Sequence, residues 1–347
     1  MEQRREGTTY FDYYLKNKHS NETLDNKQNE SPVIISPTDI KNIKSHQRNW
    51  KITSMHLGYL ERIARVHYEV GKITGVEYDK WIKSSQNNNF DDPTTYYEPI
   101  ASSVYASSEI EGEAIHIKDM KLALVGDPME DDAEHKDEYS QRRKCVRAIY
   151  NTYLYAIFKK KFPLEGGDVL NPDFIQDLHR RMFSEVKPET AGKIKTKITQ
   201  ITRDDKPVLI TLPPDKTPEY LDEICKTLTE KFRLADDAGI YSKIIAIAEF
   251  IVDFLAIHPF LDGNGRTARL LSTFLLEKAN FHFARFDSLD KIILERRSDY
   301  YDALNTSQKN WGTVDEDLTP WIQFYIKAIY TQYTNTRQRI IERFAQE

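Results

Sequence analysis

Cysteine is nearly absent: Cys145 and Cys225 are the only thiols in 347 residues. Their separation matches neither a metal-binding spacing nor a disulfide framework, so two reduced thiols and a cytoplasmic setting are expected. No run approaches the roughly 18 apolar residues that span a bilayer, and the N-terminus MEQRREGTTYFDYY lacks the apolar core of a secretory signal. No membrane association is expected. An excess of positive charge is missing too, because 49 Lys and Arg against 54 Asp and Glu leave a formal net charge of −5. A nucleic-acid binder is basic over at least one face, so this balance speaks against one. No internal repeat is visible.

Aromatic residues, at 12%, imply a genuine core, and the length suggests roughly two units at about 150 residues each. Residues 1–45 are polar and read as a flexible N-terminal arm with one short helix around Tyr10–Leu15. Helical apolar spacing then runs from Trp50 to about Ile82 with a turn at Gly75, followed by a loop over Ser84–Pro93. A helix is predicted from Pro99 to Gly112, since Pro suits a first turn and Gly the residue after a helix. Asp127–Glu138 is an acidic linker, and Tyr139–Phe158 an amphipathic helix. NPDFIQDLHRRMF follows as a helix capped by Asn171 with Pro172 at its first position.

KIKTKITQITRDDKPVLITLPP alternates β-branched and polar residues about a turn at Asp204-Asp205, which predicts a β-hairpin over about 196–212. Further helices are predicted at about 217–234, 241–257, 265–279, 291–308 and 318–345. The fold class is mainly α with one hairpin.

The chemistry concentrates in HPFLDGNGRTAR, His258 to Arg269. IIAIAEFIVDFLAI before it is apolar nearly all round and reads as a buried helix, while RTARLLSTFLLEKA after it is amphipathic. Pro259 disfavours the helical conformation for His258, which therefore stands at the exit of the buried helix. Gly263-Asn264-Gly265 brings backbone N–H groups close to a ligand at the start of the second helix, where the macrodipole adds positive potential. Arg266 and Arg269 share a helical face and suit phosphate oxygens. Asp262 beside phosphate calls for a divalent cation such as Mg²⁺ between them. His258 is the nearby side chain able to remove a proton near neutral pH. Without the closing Lys-Ser/Thr, the loop is not a P-loop.

This string resembles the signature of the Fic (Fido) family, His-Pro-Phe-x-Asp/Asn-Gly-Asn-Gly-Arg-x-x-Arg, at every specified position: His258, Pro259, Phe260, Asp262, Gly263, Asn264, Gly265, Arg266 and Arg269. The resemblance implies a helical bundle with one β-hairpin flap and transfer of AMP from ATP to a hydroxyl of a target protein, or of the chain itself. It implies His258 as general base, Asp262 as ligand of Mg²⁺ (or Mn²⁺), and Gly263 to Arg266, with Thr267 and Ala268 beside them, as the nucleotide cradle. Arg269 becomes the γ-phosphate clamp. The related Doc branch, which phosphorylates, carries Lys at the position of Gly265, so nucleotidyl transfer is favoured.

The hairpin falls where the family has its flap, which lines up a target segment by strand addition. Val208, Leu209, Ile210 and Thr211 are the flap positions placed against nucleotide, and Lys195 stands where the family often has Arg. Tyr300, Tyr301 and Gln308 in SDYYDALNTSQ are similar to the nucleoside-side helix.

SSEIEG, with Ser107, Glu111 and Gly112, fits the family's inhibitory pattern Ser/Thr-x-x-x-Glu-Gly/Asn. Ser107 and Glu111 lie on one helical face, so Glu111 is expected to take the guanidinium of Arg269. The chain thus divides into the arm 1–45, a helical region 46–164 with the inhibitory helix at about 99–112, a catalytic core 165–330 and a C-terminal helix 331–347. Many relatives append a winged helix; here LTPWIQFYIKAIYTQYTNTRQRIIERFAQE reads as one long helix or two short ones, and no further folded DNA reader is expected. Two rival readings use the same site: removal of AMP from modified proteins, and a non-catalytic nucleotide sensor. An oligomer is compatible with all three.

Overall fold

The computed structural model describes residues 33–34, 48–63, 94–113, 138–158, 169–203, 206–238 and 241–344. In chain order its elements are β1 (Val33–Ile34), α1 (54–63), α2 (Thr94–Glu111), α3 (Glu138–Phe158), α4 (Pro172–Phe183), β2 (Gln200–Arg203) and β3 (Lys206–Ile210). They continue with α5 (Thr217–Ala238), α6 (Tyr241–Ile257), α7 (Asn264–Lys278), a 3₁₀ turn at His282–Arg285, α8 (Leu289–Glu295), α9 (Arg297–Gln308) and α10 (Thr319–Phe344). The protein is mainly α. Most of the predicted arm, the turn at Gly75, the loop 84–93, nearly all of the acidic linker and the hairpin tip Asp204-Asp205 lie outside the described residues.

α6 is apolar nearly all round, and the fold buries it accordingly. Ile247, Val252, Phe254, Ala256 and Ile257 are inaccessible to solvent, and α6 packs against α5, α7, α9 and α10. Trp321 of α10 donates its indole N–H to the Ala248 carbonyl at 2.6 Å, fixing those two helices in register. α4 opens as its residues dictate, with the Asn171 side chain accepting from the Phe174 amide and Pro172 at the first position. Its apolar stripe, Phe174, Ile175, Leu178, Met182 and Phe183, carries a polar member, His179. α2 packs across α7, α3 and α8, which brings its C-terminal end to the start of α7. No helix among the described residues is long and apolar enough to cross a membrane.

Three differences from the sequence expectation have local causes. α2 begins at Thr94, and Pro99 lies within its second turn. So early in a helix, its missing N–H forfeits only a single ladder bond. The run predicted at 291–308 is two helices, because Arg296 leaves helical geometry (φ −118°, ψ 34°) between α8 and α9. The predicted hairpin forms from β2 and β3, and what the sequence did not show is a third strand, β1, beside it in the order β1-β3-β2. β2 and β3 pair antiparallel, and the two-residue β1 adds to β3 in parallel.

A short N-terminal strap grips the core. Arg48, buried, spans two carboxylates, with Nη1 2.6 Å from Asp253 on α6 and Nη2 2.5 Å from Glu316 before α10. Trp50 donates to Glu249 at 3.1 Å, and the Asn49 carbonyl accepts from the Leu318 amide at 3.0 Å. Cys145 and Cys225 are both buried, and neither forms a disulfide among the described residues.

Candidate active site

α6 ends at Ile257, and the amide of His258 still bonds to the Phe254 carbonyl at 2.9 Å. His258 itself has φ +53°, a left-handed conformation that few non-glycine residues hold. Such a residue persists where its surroundings over-determine it, and Lys195 does much of that. Its amide donates to the Pro259 carbonyl at 2.8 Å and its Nζ to the Ile257 carbonyl at 2.7 Å, so it fastens the chain on both sides of the histidine. The same Nζ reaches Thr211 Oγ1 at 2.9 Å, tying the turn to the end of β3.

The His258 Nδ1 lies 3.2 Å from the Leu255 carbonyl. Only a protonated Nδ1 can donate there, so the neutral ring leaves Nε2 as an open acceptor. Burial, reinforced by the Lys195 charge, lowers the imidazole from its ordinary 6.5 to about 4.

The loop after His258 is closed by its own residues. The Asn264 side chain accepts from the Phe260 amide at 3.0 Å and donates to the Phe260 carbonyl at 2.8 Å, an internal clasp across four residues. His179 braces it from α4. Its Nδ1 accepts from the Gly192 amide at 2.8 Å, so Nε2 carries the proton and donates to the Asp262 carbonyl at 2.9 Å. Its ring stacks on Phe260 at 3.8 Å. Gly263 caps α7 with φ +78°, and a side-chain carbon there would come within 2.5 Å of the Phe183 ring. A larger residue is excluded twice over, by conformation and by contact.

Asp262 remains half-exposed at the mouth of this loop. Its Oδ1 accepts from the Gly263 amide at 2.6 Å, its Oδ2 pairs with the Lys187 ammonium, and Arg266 stands 3.7 Å away. These positive neighbours, Arg266 first, overcome burial and hold the carboxyl well below the usual carboxylate range.

Both signature arginines are engaged by the end of α2. Arg269 Nε donates to Ser107 Oγ at 2.8 Å, and Nη2 to Glu111 Oε1 at 2.7 Å; Asp290 of α8 stands 3.3 Å from Nε. Gly112 takes φ +76° after the last helical residue, its amide bonding to the Glu109 carbonyl and that of Glu113 to the Ser108 carbonyl. This is the paired bonding of a Schellman stop, which glycine favours. The turn delivers Glu113 to Arg266, with Oε2 2.5 Å from Nη1. Arg266 also lies over the Phe183 ring at 4.6 Å, and its buried Nε has no hydrogen-bond partner. At Gly265 a side-chain carbon would meet Glu111 Oε1 at 2.3 Å, so that carboxylate rests directly on the glycine at the start of α7.

Residues 169–276 match the family model of the Fic/DOC family. They form a Fic/DOC domain. The chain is 32% identical over 233 residues to protein adenylyltransferase Fic of Nematostella vectensis, covering 65% of this chain and 46% of that protein. It is 30% identical over 162 residues to protein adenylyltransferase fic-1 of Caenorhabditis elegans, covering 46% of this chain and 27% of that one. The chain thus spans less than half the length of either relative. Among solved structures, a Fic family protein from Desulfovibrio desulfuricans G20 superposes with a TM-score of 0.60 at 20% identity, covering 86% of this chain and 77% of that one. Fic-1 from Caenorhabditis elegans gives 0.55 at 19% identity over 85% of this chain and 74% of that one. These structures share the fold.

Within and around the Fic/DOC domain, the other residues singled out in the sequence are placed unevenly. Thr267 and Ala268 are buried in the first turn of α7, the Thr267 hydroxyl bonding to the Gly263 carbonyl at 2.8 Å. Val208, Leu209 and Ile210 lie on β3; Leu209 is buried, and Thr211 just after it is committed to Lys195 and to Thr199. Tyr300 is buried against Trp321 and Phe324 of α10, which makes it core, and burial pushes its hydroxyl up to about 12. Tyr301 is partly buried and edge-on to Tyr300, and the Gln308 amide faces the Val252 carbonyl at 3.5 Å.

Sequence reasoning missed Lys195 as a brace, His179 and Glu113. His179 had a signal, a polar residue on the apolar stripe of α4. Glu113 had none, because its place depends on the turn at Gly112.

Proposed function

We propose that this chain is an autoinhibited protein adenylyltransferase that moves AMP from ATP onto a hydroxyl of a target protein, and onto itself. The observation carrying this reading is the His258 ring, neutral and with Nε2 open, beside a helix start where a carboxylate already sits in the anion position. Glu111 at Gly265 and Arg269 serves as a stand-in for a phosphate, and the Lys187 ammonium against Asp262 as a stand-in for a cation. Both positions therefore accept the charges that ATP with Mg²⁺ would bring. No group of three or more His, Cys, Asp or Glu side chains among the described residues suits a metal by itself. This favours Mg²⁺ (or Mn²⁺), which binds through one carboxylate, water and substrate phosphates. Such an ion, when bound, supplies charge neutralisation to the phosphate oxygens.

In the proposed reaction the target hydroxyl oxygen bonds to the α-phosphorus of ATP. Its proton passes to His258 Nε2, and the α-phosphorus to bridging-oxygen bond breaks to release pyrophosphate. The backbone N–H groups of Gly263 to Arg266 and the α7 dipole stabilise the phosphate charge. The Asn264 side chain, Lys195 and His179 hold this geometry without touching the substrate. Glu111 opposes the reaction by holding Arg269, and Glu113 does the same to Arg266. We assign residues 165–330 as catalytic core and 46–164 as the region presenting α2, with the target lying along the flap, Tyr301 and Gln308 toward the adenosine side and the cytoplasm as the setting.

The test is incubation of the purified chain and of Glu111→Gly with ATP labelled at the α-phosphate and Mg²⁺. Label on protein that survives denaturation supports transfer. Saturable ATP binding without label supports a sensor, and label released from a pre-modified protein supports AMP removal.

A further inference from the structure

Two carboxylates stand against Arg269, and they differ in how deeply they are held. Glu111 keeps 19% of its side chain exposed, whereas Asp290 on α8 keeps 1% and Arg269 itself 3%. Asp290 is surrounded by donors. The Tyr153 hydroxyl of α3 donates to both carboxylate oxygens at 3.3 Å, and the hydroxyls of Ser103 and Ser107, four residues apart on one face of α2, also bond to it. Ser288, which caps α8 by accepting from the Lys291 amide at 3.0 Å, lies 2.8 Å from Ser103 Oγ. Three helices thus converge on a buried carboxylate that the proposed reaction leaves unused.

The guanidinium is divided between its neighbours. Nε faces Ser107 Oγ at 2.8 Å and Asp290 at 3.3 Å. Nη2 holds Glu111, and Nη1 lies 3.1 Å from the point where a side-chain carbon on Gly265 would stand. One edge therefore serves standing partners, and the other serves the anion at the start of α7. The distances separate two roles. Ser107, the closer, orients the fork; Asp290, farther off and out of water, mainly offsets its charge, because buried charges are screened little. We propose that Asp290 is a standing counter-ion that divides the Arg269 charge and so sets how tightly the start of α7 holds either Glu111 or a phosphate of ATP.

An anion brought to the far edge of the guanidinium is attracted by Arg269 and repelled by Asp290. With the Asp290 charge removed, only the attraction is left, while Ser107 still holds Nε through its hydroxyl and Nη2 through its carbonyl at 3.2 Å. Neutralising Asp290 therefore tightens the grip on whichever anion occupies the cradle. In the wild-type chain the carboxylate keeps that grip moderate, so Glu111 stays exchangeable. The inference takes Arg269 as γ-phosphate clamp from the adenylyltransferase reading, but the division of charge itself requires no chemistry.

The experiment therefore measures binding. The full chain carrying Glu111→Gly is titrated by calorimetry with ATP and with AMP in the presence of Mg²⁺, with and without Asp290→Asn. AMP lacks the β- and γ-phosphates and so serves as the control that does not reach Arg269. The ratio of ATP to AMP affinity is expected to rise about five- to tenfold in the Asn variant, as for groups coupled through one ion-pair network. Asp290→Ser, neutral and smaller, sets no amide N–H against the surrounding donors and is expected to give the same rise. An unchanged ratio in both variants, including an equal loss of ATP and AMP affinity, would overturn the proposal and leave Asp290 a structural residue. A lower ratio in both would overturn it too, making Asp290 a brace for the arginine. Arg269→Ala in the same background is expected to erase the preference for ATP; a preference that survives it would remove the clamp itself. Labelled ATP separates the two ideas: the expected rise without transfer of label leaves the division of charge standing and the enzymatic reading in difficulty, and transfer with an unchanged ratio does the reverse.

Discussion

A histidine held near 4 is neutral at pH 7, so its Nε2 lone pair is available across the physiological range. His258→Ala is expected to reduce transfer by about 10²–10⁴-fold while ATP affinity, read by calorimetry, stays within about threefold, as for removal of a general base. Lys195 modulates that base. Burial lowers its amine from 10.5 to about 7, and the neutral amine keeps two N–H groups for its two acceptors, Ile257 and Thr211. Losing its charge as pH rises through 7 makes His258 a stronger base. In a Glu111→Gly background, kcat/KM is therefore expected to climb between about pH 6 and pH 8, and Lys195→Met should abolish the climb along with much of kcat. The same climb in the Met variant would dismiss Lys195.

The sign for stability follows from the depressed value of a base. Between about 7 and 10.5 the unfolded chain holds the proton that the folded chain lacks, so the penalty of burying this charge, full below 7, fades as pH rises through that window.

At the scale of elements, the proposed autoinhibition rests on the contact between the end of α2 and the start of α7. Glu111→Gly should raise self-modification ten- to a hundredfold, which asks for only about 1.4–2.8 kcal/mol of lost competition for Arg269. Arg269→Ala should not activate, since it removes the inhibitory partner and the phosphate clamp together, and the double variant should be as slow as Arg269→Ala. Rates measured across these four proteins decide the matter; equal rates for wild type and Glu111→Gly would end the autoinhibition reading.

Glu113→Gln is a milder case. Glu113 is 40% exposed at its side chain, and an exposed partner is screened by solvent, so activation of about two- to fivefold is expected. An unchanged rate there would confine the latch to Glu111. The pattern SSEIEG made the first contact legible because Ser107 and Glu111 share a helical face whatever surrounds them. The second was illegible, since it needs the left-handed turn at Gly112 and the depth of Arg266.

For the molecule as a whole, legibility follows the range of the interaction. α6 and α7 could be read because periodicity and the glycine loop are local, and the signature residues needed no tertiary information to be singled out. The third strand of the flap and the strap at 48–52 could not, because two residues show no period and an Arg-x-Trp segment looks like solvated linker until its carboxylate partners are known. The strap has a measurable consequence. Arg48 sits with Asp253 and Glu316 almost out of solvent, and Trp311 adds a 2.7 Å bond to Asp253.

Burial alone would lift the Asp253 carboxyl, and Arg48 is the first of the groups that oppose that rise. Arg48→Met keeps the bulk but strands two carboxylates in a site built for a cation, a change that removes about 3–5 kcal/mol when such a pair is broken. The midpoint of urea unfolding should fall accordingly, and less so at pH 5 than at pH 8, because protonation relieves the stranded pair. Asp253→Asn/Glu316→Gln in the Arg48→Met background should restore part of the loss, since two neutral amides need no counter-charge. Should Arg48→Met unfold at the wild-type midpoint at both pH values, the strap would be a surface contact rather than the anchor that ties the N-terminal segment, and β1 with it, to the catalytic core.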